Sequence, residues 1–310
     1  MNQYKVTLWD GDSPPSYEWI MNHIANMDGL LCMLNDRIDK AVIEKGATSR
    51  LKVISQLAVG VDNIALPIAT RHGIPVGHTP GVLTETTADF AWSLMMAAAR
   101  RVVESHVEVQ QGVWRPWGPE VLCGVDVYGA TLGLIGFGRI GKAMARRAAG
   151  FNMNVLYYEP RQKSENANIT NASYVSLEEL LTRSDFISLH PYLSASTKGM
   201  IGSNEFAKMK KGSILVNTAR GAIVDHDALL NALRTGQIAG AALDVFDPEP
   251  IPMNHPLLKM PNVIITPHIA SSTTATRRRM ASMTLENIQA GLAGEKLPNC
   301  ANPEVYGINS

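Results

Sequence analysis

The chain has 310 residues, 45% of them hydrophobic and 18% charged, a soluble globular composition with length enough for two domains. Lysine plus arginine number 28 and aspartate plus glutamate 28, so the formal net charge is zero and the positive field of a general nucleic-acid or membrane-surface binder is missing. Three widely spaced cysteines, Cys32, Cys123 and Cys300, form no CxxC pair or Cys/His cluster, so neither a disulfide framework nor a metal is expected.

Met1 leads into a strand-like run at 5–9 with no basic region followed by an apolar one. No signal peptide is expected, and the expected compartment is the cytoplasm. Apolar stretches break well before the roughly 18 residues of a membrane span. Runs of buried-strand length follow at 29–34, 51–58 and 74–77, then at 131–135, 154–158, 186–189, 213–217, 240–245 and 263–266. Residues 86–111, dense in Ala, Leu and Met and free of proline, predict one long helix. A second helix is predicted at 139–149, ended by Gly150 in the left-handed conformation, and another at 273–292. Ser176-Leu177-Glu178-Glu179 is a capping-box pattern.

Strand and helix alternating in this way predict an α/β fold of two doubly wound parallel-sheet, Rossmann-like domains with an active-site cleft between them. With the helices at 86–111 and 273–292 as the crossings, one domain is discontinuous, residues 1–100 plus 288–310, and the other spans 101–287.

Gly136-Phe137-Gly138-Arg139-Ile140-Gly141 follows the run 131–135 and opens the predicted helix. In that setting the first glycine turns the chain, the second admits a pyrophosphate and the third lets helix and strand pack closely. The helix N-terminus, with Arg139 and Ile140, then faces the phosphates. Glu159 ends the next run, at the distance where a carboxylate reaches the adenosine ribose and repels a 2′-phosphate. NAD(H) is therefore the expected cofactor, with NADP(H) possible because Arg161 follows two residues later.

Ligands in doubly wound sheets sit beyond the carboxyl ends of the strands. The middle strands end in Glu159, His190, Thr218 with Arg220, Asp244 and His268; those of the first domain end in Asp10, Asn35, Val59-Gly60 and Thr79. Each has a plainer reading: His190 as a hydrogen-bonded structural residue, Arg220 as a surface ion pair, Glu249 as a solvated loop carboxylate. Asp244, directly after an apolar run, needs a donor if buried, and a cofactor amide would supply one.

Asn217-Thr218-Ala219-Arg220-Gly221, Asp244-Val245-Phe246-Asp247-Pro248-Glu249-Pro250 and Thr266-Pro267-His268-Ile269-Ala270-Ser271 together resemble the D-isomer-specific 2-hydroxyacid dehydrogenases. Gly60-Val61-Asp62-Asn63, Thr79-Pro80-Gly81 and Thr86-Thr87-Ala88-Asp89 match as well, and the resemblance runs through nearly the whole chain. Its closest flavour is the glyoxylate/hydroxypyruvate reductases, partly from Trp114-Arg115-Pro116-Trp117 ahead of Leu122-Cys123-Gly124.

The resemblance implies NAD(H)-dependent reduction of a small 2-oxo acid to the D-2-hydroxy acid, with 1–100 plus 288–310 binding substrate and 101–287 binding NAD. It assigns catalysis to Arg220, Glu249 and His268. Arg220 would grip the carboxylate and 2-oxo group, His268 would give the carbonyl oxygen its proton, and Glu249 would hold the imidazole and keep it protonated. Val59 and Gly60 would bind substrate with Arg220 and His268. The cofactor would lie against Gly136, Gly138, Arg139, Ile140, Gly141, Glu159, His190, Thr218, Ala219, Arg220, Asp244, His268 and Ser271, with Asp244 fixing the carboxamide. A homodimer is implied, in contact through 86–111 and the Trp114 region.

One departure stands out. The family's His-x-Pro-Leu reads here His190-Pro191-Tyr192-Leu193. Arg277-Arg278-Arg279 reads as a solvated helix face, or as bringing Arg277 toward substrate. Phosphoglycerate, lactate and phosphite remain rival substrates, and an NAD-sensing corepressor-like binding module is the rival class.

Overall fold

The computed structural model describes residues 4–159 and 172–307, and it divides into two units, Met1–Leu83 with Thr273–Ser310, and Thr84–Ser272. Arg161 lies outside the described residues.

In chain order the first unit builds α1 (Tyr17–His23), β1 (Gly29–Cys32), α2 (Lys40–Ala47), β2 (Val53–Gln56), α3 (Leu66–Arg71) and β3 (Val76–Gly77). The strands are parallel in the order β1-β2-β3. All four residues of β2 are buried, as a strand covered on both faces requires. Asp39 caps α2, its carboxylate accepting from the amides of Ala41 and Val42. The strand predicted at 5–9 does not form. Val6 and Leu8 are exposed, and the Trp9 indole donates to the Ser13 carbonyl at 2.5 Å, so this alternating run turns back on itself instead of joining a ladder.

The second unit begins with α4 (Thr84–Ala99) and α5 (Val102–Gln110), where one continuous helix was expected. The break has a tertiary cause. The Val125 amide donates to Ala99 O at 2.9 Å, occupying the carbonyl that would continue the helix, and Arg101 swings to φ 52. There follow β4 (Thr131–Ile135), α6 (Arg139–Ala149), β5 (Asn154–Tyr158), β6 (Ala172–Tyr174), α7 (Leu177–Arg183), β7 (Phe186–Leu189), α8 (Ser203–Lys208), β8 (Ser213–Asn217), α9 (His226–Arg234), β9 (Ile238–Leu243) and β10 (Val263–Ile265). Ser176 caps α7 by accepting from the Glu179 amide at 3.1 Å. Gly150 does end α6, but right-handed with φ −66; Asn152 takes the left-handed turn, φ 50.

Every strand pair in this sheet is parallel, in the order β10-β9-β8-β7-β4-β5-β6. Strand alternation feeds two cores. Leu156, Ile187 and Leu215 pack with α7, α8 and α9, while Val155, Tyr157, Ile214 and Val216 pack with α4 and α6. The order reverses at β4, flanked by β5 and β7, and that switch point is where an open parallel sheet offers a crevice.

α10 (Thr274–Leu292) returns to the first unit and packs on β1, β2 and β3. The two boundaries expected at 100/101 and 287/288 are thus displaced. Small residues on α4, among them Ala88 and Ala91, let it lie against α6 and β8, whereas all of α10 belongs with the first sheet. Which unit a connecting helix joins is decided by the face it buries, not by where its apolar pattern stops. Ser55 Oγ donates to Thr284 O at 2.8 Å and Asn287 Nδ2 to His78 O at 2.9 Å, tying α10 to that sheet. Arg277, Arg278 and Arg279 are exposed on it. Among the described residues, no helix is long and apolar enough to cross a membrane.

Asn302 is fully buried and seals the same unit: it accepts from the Val76 amide at 2.8 Å and donates to Thr70 Oγ1 at 3.0 Å and Ile74 O at 3.1 Å. Asn302→Ala strands these groups and is expected to lower stability by about 2–4 kcal/mol, at roughly 1–3 per orphaned group. Urea titration measures this, and an unchanged midpoint would contradict it.

Candidate active site

The nucleotide end of the site starts from a turn only glycine tolerates. Gly136 has φ 89, and a Cβ there would meet His190 C and Pro191 N at 2.6 Å. Around Gly138 a Cβ would meet nothing within 4 Å, which leaves room for a bound group against the main chain; at Gly141 it would press on Gly136 O at 2.3 Å, so α6 seats directly on the turn. Arg139 is exposed and Ile140 half-buried at the start of α6. Glu159, beyond β5, accepts from the Phe137 amide at 3.1 Å, so its carboxylate is anchored to the glycine turn itself. The residues present fit a dinucleotide with an unphosphorylated adenosine ribose.

His190 ends β7. Its Nε2 lies 2.9 Å from Ser188 Oγ, and burial pushes its pKa down to about 3, so it is a neutral ring.

At the end of β8, Asn217 closes the next turn from both sides: its Oδ1 accepts from the Ala219 amide at 3.0 Å and its Nδ2 donates to Arg220 O at 2.9 Å. Thr218 is buried, and its hydroxyl makes no hydrogen bond among the described residues, as a group reserved for a ligand would. Ala219 and Arg220 are half-buried, with Arg220 Nη1 donating to Ala219 O at 2.8 Å.

Asp244, 1% exposed, follows β9. Its Oδ1 accepts from Thr266 Oγ1 at 2.6 Å and the Ile269 amide at 2.9 Å, and its Oδ2 from the Ala270 amide at 2.8 Å. Burial raises its pKa above the ordinary aspartate value, against those three bonds and the charge of His268. An ionised carboxylate has about four acceptor positions. Three are thus spent on the turn carrying His268, a use the sequence did not disclose. His268 itself is left-handed, φ 56, and its amide donates to Asp244 O at 2.9 Å. Ser271 is half-buried just beyond.

Glu249 completes the arrangement. Its Oε1 accepts from the Phe246 amide at 2.8 Å, and its Oε2 lies 2.8 Å from His268 Nδ1. Desolvation pushes this carboxyl's pKa up, yet the hydrogen bond and charge of His268, the Phe246 amide and the charge of Arg220 prevail and hold it below the usual glutamate value. Arg220, Glu249 and His268, drawn from three strand ends, are thus brought together as a carboxylate-backed imidazole beside a guanidinium. Such a set can move a proton at an anionic substrate. Sequence reasoning missed Asn217, Phe246 and Thr266 as supports; the apolar or turn-like character of their positions carried no sign of a hydrogen-bonding role.

In the first unit, Val59 and Gly60 follow β2. Val59 O is 2.9 Å from His78 Nδ1, and Gly60 O accepts from Gln56 Nε2 at 3.2 Å. The carbonyls are held, while the amides of Val59 and Gly60 donate to no acceptor among the described residues. No group of three His, Cys, Asp or Glu side chains among the described residues is placed to hold a metal.

Residues 92–270 match the family described as D-isomer specific 2-hydroxyacid dehydrogenase, NAD binding domain. The chain is 50% identical over 306 residues to a glyoxylate reductase from Korarchaeum cryptofilum, covering 98% of this chain and 92% of that protein. It is 43% identical over 296 residues to the human glyoxylate reductase/hydroxypyruvate reductase, covering 95% and 90%. The crystal structure of a glyoxylate reductase from Paecilomyes thermophila superposes with a TM-score of 0.83 at 33% identity, covering 92% of this chain and 88% of that one.

The depressed pKa of His190 makes a pH prediction. Between the ordinary histidine value near 6.5 and about 3, the unfolded chain takes up a proton that folded His190 refuses, so its contribution to stability is lost as pH falls through that window. In 15N spectra of histidine-labelled protein, the His190 imidazole is expected not to titrate from pH 8 down to pH 5, by about that margin. A midpoint near 6.5 would show that the ring is not desolvated.

Proposed function

Because the chain belongs to the D-isomer-specific 2-hydroxyacid dehydrogenases, NAD-dependent oxidoreductases of CH–OH groups, we propose that it reduces glyoxylate to the achiral glycolate, or hydroxypyruvate to the D-2-hydroxy acid, with Arg220, Glu249 and His268 as the catalytic trio. The observation that carries the reading is the 2.8 Å approach of His268 Nδ1 to Glu249 Oε2 beside Arg220.

When bound, NADH supplies the hydride that reaches C2 of the oxo acid. Arg220 holds the carboxylate and the 2-oxo oxygen with paired donors. With Nδ1 committed to Glu249, His268 gives up the proton from Nε2 to the carbonyl oxygen as it becomes a hydroxyl, and takes it back in oxidation. Glu249 orients the ring for transfer through the 2.8 Å contact at Nδ1. Gly136, Gly138, Arg139, Ile140 and Gly141 would hold the pyrophosphate, Glu159 the ribose, Thr218 to Arg220 and Ser271 the nicotinamide side. His190, neutral and bonded to Ser188, would line the adenosine as an apolar wall. Asp244, with one acceptor position to spare, would take the carboxamide. The amides of Val59 and Gly60 are the proposed substrate donors of the first unit. Glu159 favours NADH over NADPH.

The working form is proposed to be a cytoplasmic homodimer. α5 buries none of its residues, Val102, Val103, Val107 and Val109 are exposed on it, and Trp114 and Trp117 are 80% and 91% exposed. An apolar stretch of this extent calls for a partner surface.

The experiment is NADH oxidation followed with glyoxylate, hydroxypyruvate, pyruvate and phenylpyruvate; no turnover with either of the first two would sink the proposed substrate. His268→Gln is expected to cut kcat by about 10²–10⁴-fold, the scale of general acid catalysis, while NADH still binds. Undiminished kcat would remove His268 from the mechanism. Glu249→Gln removes the carboxylate that holds the imidazole at 2.8 Å and is expected to cut kcat by about 10²-fold. Undiminished kcat counts against the pairing.

A further inference from the structure

Arg220 and Glu249 come from different loops, after β8 and after β9. What lies between them is main chain. Gly221 is buried directly after Arg220, and a Cβ built on it would sit 1.9 Å from Phe246 C, 2.2 Å from Phe246 O and 2.3 Å from Phe246 Cα. Its glycine is required by closeness, since the obstacle is backbone and cannot rotate aside. The same Phe246 donates its amide to Glu249 Oε1 at 2.8 Å. On the other side of Arg220, Asn217 grips the Ala219 amide and the Arg220 carbonyl. The loop bearing the guanidinium is therefore clamped at one end by Asn217 and seated at the other on the peptide that holds Glu249.

Resting on the catalytic reading above, we propose that Gly221 is a positioning residue: its contact with the Phe246 main chain sets Arg220 and Glu249 in one common register, so that the group binding the substrate and the group holding His268 move together. Phe246 is itself fixed from behind, 7% exposed, with its ring 5.6 Å from that of His226. A Cβ at Gly221 presses on the Phe246 peptide, whose amide holds Glu249 and through it the Glu249–His268 pair.

Arg220 is the group proposed to bind substrate and Glu249 the one that holds His268, so their coupling has a kinetic signature. If Arg220 alone is displaced, KM rises while kcat holds; if Glu249 moves with it, kcat falls as well.

The experiment uses full-length protein saturated with NADH, reads the Glu249-bonded Nδ1 signal of His268 in 15N histidine spectra, assigned with His268→Gln, and measures KM and kcat for glyoxylate separately. Gly221→Ala is expected to displace the His268 Nδ1 signal, raise KM and lower kcat together, with kcat/KM down by about 10²-fold, as for a misplacement of about 1 Å. Should Gly221→Ala not fold, Asn217→Ala, which loosens the other end of the Arg220 loop, is expected to do the same. A raised KM with kcat and the His268 signal unmoved, in whichever variant folds, overturns the proposal. Wild-type protein that fails to turn over any 2-oxo acid overturns the catalytic reading instead, and the His268 signal still decides the coupling.

Discussion

One buried carboxylate underlies the arrangement of the second unit. Asp244 draws the Thr266 hydroxyl and the amides of Ile269 and Ala270 onto its two oxygens, wrapping the chain after β10 around a single point. That wrapping holds His268 left-handed, at φ 56, a conformation costing a residue with a Cβ about 1–3 kcal/mol unless its surroundings impose it. Asp244 also accepts from the His268 amide through its carbonyl and donates its own amide to Asn217 O. Its backbone thus joins the ends of β8, β9 and β10. A solvated loop would place an imidazole with far less certainty, because flexible links would each have to be ordered by the ligand itself.

The chemistry borrows its rigidity from the sheet. Parallel strands buried on both faces leave no freedom of register, since slipping one residue exchanges the two cores. Tyr157 and Leu156 go to opposite faces, as do Val216 and Leu215. The strand ends therefore arrive at one edge in fixed order, and each contributes a short turn. Side-chain amides and carboxylates, Asn217 and Asp244 among them, then fold those turns inward. Glu159 does the same at the nucleotide end, where its bond to the Phe137 amide couples the acidic residue to the glycine turn.

Much of this was legible in the sequence, and the limits are physical. The strands at 131–135, 154–158, 186–189 and 213–217 appear with their expected bounds, because a continuous apolar run cut by polar residues is what double burial demands. That Arg220, Glu249 and His268 come near one another was expected from the family resemblance of their motifs, since each alone has plainer uses beyond a strand. The run at 5–9 misled, since alternation does not reveal whether a neighbouring strand accepts it. The break after Ala99 was invisible as well: it depends on Val125, 26 positions along, whose amide takes a helical carbonyl. The contact of Gly221 with Phe246 was equally hidden, because a glycine needed for closeness looks like a glycine needed for a turn.

The return of α10 bears on how the protein is made. The second unit is continuous in sequence, so a ribosome delivers all of it before the first unit is complete. The sheet of β1, β2 and β3 waits for α10 and for Asn302, whose bonds to Val76, Thr70 and Ile74 come from more than two hundred residues downstream. At roughly 5–20 residues per second, that interval lasts on the order of ten to forty seconds. During it the nascent first unit carries an uncovered apolar face and unpaired strand amides. The part of the chain emerging first is therefore the last to be sealed.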